Sequence, residues 1–328
     1  MIVAYFEKQS RIQSVPITEE NSQILKDVIW IDMLSPTKSE ELIVEKQLKI
    51  YIPTRNEAQT IESSTRLRLY VEHNTLFMTA MMIAKSDSTN PKNDAVSFIL
   101  TEKQLITVRY IEPLPFTLFS SRLLKIDIKE HFAQNFLVGL LEVVTDRLAD
   151  ILENVGDKFD RITQHILYSD SSNRDVKMVN FQELLQDIGA NSELGAKVRG
   201  SLLSFNRLVS FFTRTYGSKL EHDCQARLGI ISRDINALSD HASFISSKAS
   251  FLLDATLGMI NIQQNNIIKV FSVAAVIFLP PTLIASIYGM NFHYIPELNW
   301  YIGYPLAIVL MILSALVPYK YFKMRKWL

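Results

Sequence analysis

One cysteine, Cys224, in 328 residues rules out an intramolecular disulfide framework and fits a reducing cytoplasm. Proline is missing from the whole span between Pro115 and Pro280, and the 10 glycines of the chain are thinly scattered, so that span can be almost wholly helical. Neither charge is in excess: 34 Lys and Arg stand against 34 Asp and Glu. The division is uneven, because residues 265–328 hold five bases and one acid, leaving 29 bases and 33 acids for the rest. A mildly acidic body has no electrostatic means of holding nucleic acid. Also absent are a Gly-x-x-x-x-Gly-Lys phosphate loop and a His-Glu-x-x-His metal motif. No residue constellation supports an enzyme, and no cofactor is expected. The six histidines lack ligand spacing; the nearest soft-metal pair, His222-x-Cys224, reads as a surface coincidence at a helix start. Met1 to Glu7 reads as a strand, and charge arrives at Glu7 before any adequate apolar run, so no signal peptide is expected.

What the sequence does contain is concentrated at its end. Nineteen consecutive residues from Val270 to Tyr288 carry no charge, and a second uncharged stretch runs from Trp300 to Tyr319. Each is about long enough to cross a bilayer's hydrocarbon core as a helix. The competing reading, two buried core helices of a soluble protein, sits poorly with Pro280-Pro281 in the first stretch. Consecutive prolines break a water-exposed helix but are tolerated in membranes, where packed neighbours re-satisfy the freed carbonyls. Lys320, Lys323, Arg325, Lys326 and Trp327 follow the second stretch, a basic and aromatic cluster that stays cytoplasmic. The C-terminus is therefore expected inside. Two crossings put the long N-terminal part inside too and leave a short outer loop, residues 292–299. This is the layout of a multi-pass protein of the inner, cytoplasmic membrane.

Upstream, residues 1–115 read as an α/β cytosolic domain with a largely antiparallel or mixed sheet. Val28 to Asp32 is a compact strand, Arg66 to Glu72 alternates apolar and charged residues, and Leu76 to Ile83, Ala95 to Leu100 and Leu105 to Arg109 read the same way. Thr37-x-x-Glu40 and Thr54-x-x-Glu57, each after a proline, are capping boxes that start helices. Residues 116–219 form the helical part of the same domain. Phe132, Phe136, Leu140, Leu141, Val144, Leu148, Ile151, Leu152, Val155, Phe159 and Ile162 keep the spacing of a buried helix face. Turns at Ser169 to Asn173 and near Tyr216-Gly217-Ser218 end two helices. From residue 220 a helical pattern without a convincing stop makes a stalk over 220–269, then a first membrane helix over 270–291. A second follows over 300–319 and a basic tail over 320–328. A stalk continuous with a membrane helix suggests oligomerisation, and the sequence supports only more than two copies around an axis.

The run Tyr288-Gly289-Met290-Asn291 closes the first membrane segment, Pro296-Glu297-Leu298 follows in the short loop, and Lys326-Trp327-Leu328 ends the chain. With Phe251 to Gly258 upstream and the polar run Gln263 to Asn266, this order closely resembles the CorA family of divalent-cation transporters. The tripeptide alone is a weak signal; its position gives it force. The resemblance covers nearly the whole chain and implies a CorA-like, funnel-shaped homopentamer. It also implies passive Mg2+ transport, with Co2+ and Ni2+ as incidental substrates. The chain departs from the family at His293 and Ile295, where an acid and a methionine are common. The lost acid weakens outer electrostatic attraction.

Asn265, Ile268, Phe271, Ala275, Leu279, Thr282 and Ser286 recur every three or four residues along one stripe of the first membrane helix. With the resemblance, that stripe is expected to line the pore and its gate, although the two hydroxyls could instead bond the carbonyl one turn back. Mg2+ sheds its inner waters reluctantly, so amides of Asn291 and carbonyls near Gly289 are suited to touch the hydrate. Gly289 is also expected to permit the turn ending the helix, and Glu297 to gather cations outside. The resemblance further assigns Asp254 to a regulatory site for cytosolic Mg2+, completed by an unnamed acid of the next subunit. Two other readings stay open, a zinc transporter of the same superfamily and a membrane-anchored sensor. The expected partners are further copies of the chain, divalent cations and the lipid bilayer.

Overall fold

The computed structural model describes the chain apart from residues 10, 60–68, 125–131, 168–179, 292, 294–295, 297–299, 326 and 328. The chain divides into two compact units, Met1–Leu252 and Leu253–Leu328.

In the first unit a single sheet is made by β1 (Ile2–Lys8), β2 (Arg11–Ile17), β3 (Trp30–Leu34), β4 (Leu69–Glu72), β5 (Thr75–Ala84), β6 (Lys92–Leu100) and β7 (Leu105–Arg109). Their order is β2-β1-β3-β7-β6-β5-β4. All neighbours are antiparallel except β3 and β7, which run parallel with Trp30 opposite Leu105 and Leu34 opposite Arg109. The sheet is therefore mixed, as its sequence suggests. The strand expected at Val28 to Asp32 is displaced to Trp30–Leu34, and only Leu69–Glu72 of the one expected at Arg66 to Glu72 falls on described residues.

Alternation splits the core between the two faces of the sheet. Ile31 and Met33 join Val44 and Ile52 in one cluster. Trp30 instead stacks on Tyr5 with centroids 4.3 Å apart and meets Phe119 edge-on at 5.5 Å. Strand β7 is buried at every position, the condition under which a strand reads as a continuous apolar run.

Helix α1 (Lys38–Leu48) begins with the expected box: Thr37 accepts from the Glu40 N–H, and the Glu40 carboxylate accepts from the Thr37 N–H at 2.8 Å. Thr54 and Glu57 repeat it at α2 (Arg55–Gln59). Next come α3 (Leu114–Leu123), α4 (Ala133–Leu167) and α5 (Phe181–Tyr216). The apolar face of α4 is buried from Phe136 to Ile162 as its spacing predicts, but Phe132 precedes the helix and is 52% exposed. The turn expected at Ser169 to Asn173 lies outside the described residues; the one near Tyr216 is a short 3-10 turn, Gly217–Lys219.

Helix α5 bonds directly to the backbone of β5. The Met81 N–H donates to the Ser204 hydroxyl at 2.9 Å, and the Ser201 hydroxyl donates to the Met81 carbonyl at 2.6 Å. Both backbone polar groups of Met81 thus have partners on α5.

Helix α6 (His222–Tyr288) contains both prolines of the Pro280-Pro281 pair. Its beginning belongs to the first unit, where Cys224, Leu228, Ile231, Ile235, Ile245 and Leu252 are buried. Arg227 donates to both carboxylate oxygens of Glu142 on α4, at 2.8 and 2.7 Å. The first compact unit thus takes in the beginning of this helix as far as Leu252. Cys224 also departs from expectation. It is a core residue, whereas His222 is exposed, so the two cannot act as a surface metal pair.

The second unit holds the rest of α6 and α7 (Gly303–Met324). Each helix has one protected face. On α6 it runs through Lys269, Val273, Ile277, Ile284 and Tyr288; on α7 it runs through Gly303, Ala307, Met311, Ser314, Pro318 and Phe322. Small residues on such a face let helices approach closely in lipid.

Candidate ion-conduction site

Both C-terminal helices are long and apolar enough to span a bilayer, yet only 6% of the most apolar 18-residue window of each is buried. The competing reading as core helices of a soluble protein fails on that figure, since core helices are covered.

The stripe from the sequence has a uniform environment. Asn265, Ile268, Phe271, Ala275, Leu279, Thr282 and Ser286 are all exposed, with Phe271 at 72%. Just upstream, every residue from Asn261 to Ile268 is exposed, including three isoleucines. A helix apolar on sides that nothing covers is one whose partner is not in its own chain.

The Thr282 hydroxyl is bonded to the backbone of its own helix. It lies 2.9 Å from the carbonyls of both Phe278 and Leu279 and donates there. This is the bond back along the helix that serines and threonines make. The two prolines before Thr282 cannot donate to the carbonyls of Val276 and Ile277, so the helix ladder is interrupted one step upstream.

Helix α6 ends at Tyr288, and the tripeptide wraps its end. The Gly289 N–H donates to the Ala285 carbonyl at 2.9 Å, and the Met290 N–H to that of Ile287 at 3.3 Å. Met290 and Asn291 are exposed. The surroundings of Gly289 are tight. No described glycine has a positive φ; instead, a Cβ at Gly289 would lie 3.1 Å from the Ala285 carbonyl oxygen. A side chain there would need the end of the helix to give by a few tenths of an ångström.

Asp254 is exposed near the start of the second unit, beside the buried Thr256. Eleven residues separate it from Asn265, which sets both on nearly one face of the helix. Among the described residues no three His, Cys, Asp or Glu side chains converge as a metal site. Glu297 lies outside the described residues, and His293 is exposed. Sequence reasoning missed the protected face of α7, although Gly303-x-x-x-Ala307 signals it, and it missed the contact of Lys269 with the Trp327 ring, centroid distance 5.6 Å.

A model of the CorA-like Mg2+ transporter protein family matches residues 26–324. The chain belongs to that family. Over its full length this CorA-like chain is 35% identical to the magnesium transport protein CorA of Salmonella typhimurium, all of whose length is covered. The protein of that name from Escherichia coli K12 is equally similar, at 35% over all of both chains. The complete structure of the CorA magnesium transporter from Methanocaldococcus jannaschii superposes with a TM-score of 0.74. It is 19% identical and covers 100% of this chain and 99% of that one. The fold is thus that of CorA: an α/β N-terminal part, a long helix and two apolar C-terminal helices.

Proposed function

We propose that this membrane protein is a passive Mg2+ channel, assembled as a homopentamer around the exposed stripe of α6 and gated by cytosolic Mg2+. The observation that carries the reading is the coincidence of that stripe with the tripeptide. Seven residues of one helix line are uncovered in the single chain, and the line leads to Gly289-Met290-Asn291. A ring of copies would cover it and leave an axial path.

Within such a ring, Asn291 amides and backbone carbonyls at Gly289 accept hydrogen bonds from the ion's waters without the trapping strength of a carboxylate cage. Ile268, Phe271 and Leu279 form apolar collars able to dewet. Glu297 raises the local cation concentration outside, and Asp254 binds Mg2+ together with a group from the next copy. With the basic tail inside, a divalent ion crossing 100 mV gains about 4.6 kcal/mol, twice the figure for one charge. No nucleotide is needed. Co2+ and Ni2+ follow the same path as incidental cargo, and the membrane is the inner one with both termini cytoplasmic.

The deciding experiment is Mg2+ flux into liposomes carrying the purified protein, with a membrane potential imposed and internal Mg2+ varied. Inward flux that falls as internal Mg2+ rises is the expected result. Assembled protein that passes no Mg2+ would remove the reading and leave zinc transport or an anchored sensor.

A further inference from the structure

At the end of the helix pair remote from Asn291, cations have rings for partners. The Lys269 Nζ lies 5.6 Å from the Trp327 ring centroid, the Lys323 Nζ 5.9 Å from that of Tyr319, and the Arg325 guanidinium carbon 5.8 Å from that of Tyr321. Trp327 in turn stacks on Phe322 at 5.6 Å, and its backbone N–H donates to the Phe322 carbonyl at 3.0 Å. Lys269 precedes the first span and Trp327 follows the second, so this cluster fastens the two ends together.

Among the described residues no carboxylate pairs with Lys269, Lys320, Lys323 or Arg325. The acids of the second unit are Asp254, four helical turns before Lys269, and Glu297, which falls between the two spans in sequence. A ring attracts a cation through its face but accepts few of its N–H bonds, so most donors of these groups stay free. Such groups call for an anion, and they stand at the depth where interfacial aromatics and phospholipid headgroups lie.

We infer that Lys269, held against Trp327, binds the phosphate of an anionic phospholipid headgroup, with Lys323 and Arg325 on either side of the α7 end adding attraction to it. The bound lipid bridges the ends of the two spans and stabilises the pair. Trp327 acts by holding the Lys269 ammonium in place, which separates a built site from diffuse attraction between a basic tail and a charged surface. The inference rests on the membrane-spanning reading of α6 and α7 and is independent of ion conduction.

The test uses the full-length protein. Bound phosphatidylglycerol is counted by native mass spectrometry from detergent. Thermal unfolding is followed in vesicles of phosphatidylcholine with and without phosphatidylglycerol. The expected result is preferential binding of phosphatidylglycerol and a raised unfolding temperature. K269Q and K323Q should each weaken binding roughly fivefold, while K269R and K323R should retain it and report on assembly. W327A, which removes no charge, should weaken binding as well, and W327F should restore it. Binding by W327A equal to that of the unaltered chain would overturn the site in favour of diffuse attraction. Full binding by the K269Q/K323Q/R325Q variant would overturn it outright. Equal stabilisation by inorganic phosphate would overturn the lipid assignment in favour of a free anion. Failure to insert into either vesicle would overturn the membrane-spanning reading itself, a result distinct from insertion without lipid preference.

Discussion

Arg109 and Asp32 clasp each other inside the sheet. The guanidinium Nε lies 3.0 Å from one carboxylate oxygen and an Nη 2.8 Å from the other, across β7 and β3, the one parallel pair among the described strands. Thr107 adds a hydroxyl bond to Asp32 at 2.9 Å, and the Phe116 ring faces Arg109 at 4.6 Å. Removing one partner strands a buried charge, so Arg109→Ala should destabilise the first unit by ~3–5 kcal/mol. The joint change Arg109→Met with Asp32→Leu should cost much less. Urea unfolding of the full chain in detergent, followed by fluorescence, distinguishes the two.

Asn291→Ala should abolish Mg2+ flux into liposomes with assembly intact, because the amide is exposed and supports no packing. Unchanged flux would remove its role at the mouth.

Gly289→Ala should lower flux severalfold for a different reason, since the added Cβ meets the Ala285 carbonyl at 3.1 Å and pushes the helix end. Size-exclusion chromatography beside the flux assay should show an unchanged oligomer.

Asp254→Ala should raise the internal Mg2+ concentration needed to close the path, leaving the maximal flux unaltered. A closing curve that does not move would sink the sensing assignment.

The Tyr51 hydroxyl donates to Glu57 at 2.5 Å. That bond, helped by the Thr54 N–H, holds the Glu57 carboxyl below its ordinary 4.5, and bonding to Glu57 pushes Tyr51 up to about 12. Glu57's contribution is present above pH 4.5 and lost as pH falls through the lower folded value. Tyr51's is complete below pH 10 and lost as pH rises through about 12. The melting temperature of Tyr51→Phe should therefore trail the unaltered chain between pH 4.5 and 10 and converge with it on either side.

Features that depend on neighbours in sequence were legible before any coordinates. The two spans, the boxes at Thr37 and Thr54, the apolar face of α4 and the position of the tripeptide all follow from local spacing. Features that depend on distant contacts were not. Arg109 meets Asp32 across 77 positions, and no periodicity announces it. The carbonyl beneath Gly289 belongs to the preceding turn, so a glycine there looked like a turn former. The end of the first unit at Leu252 is set by what α6 packs against, and the helical pattern itself runs on without a break.

Burial of Cys224 has a practical corollary. With its thiol pushed up to about 11 by desolvation, roughly one in ten thousand is ionised at pH 7, and the side chain is shielded besides. Toward maleimides and mild oxidants this chain behaves as though it contained no sulfhydryl. A cysteine introduced at Phe271 or Asn291 would be labelled without a background to subtract, and accessibility along α6 could be mapped residue by residue in an otherwise unaltered sequence.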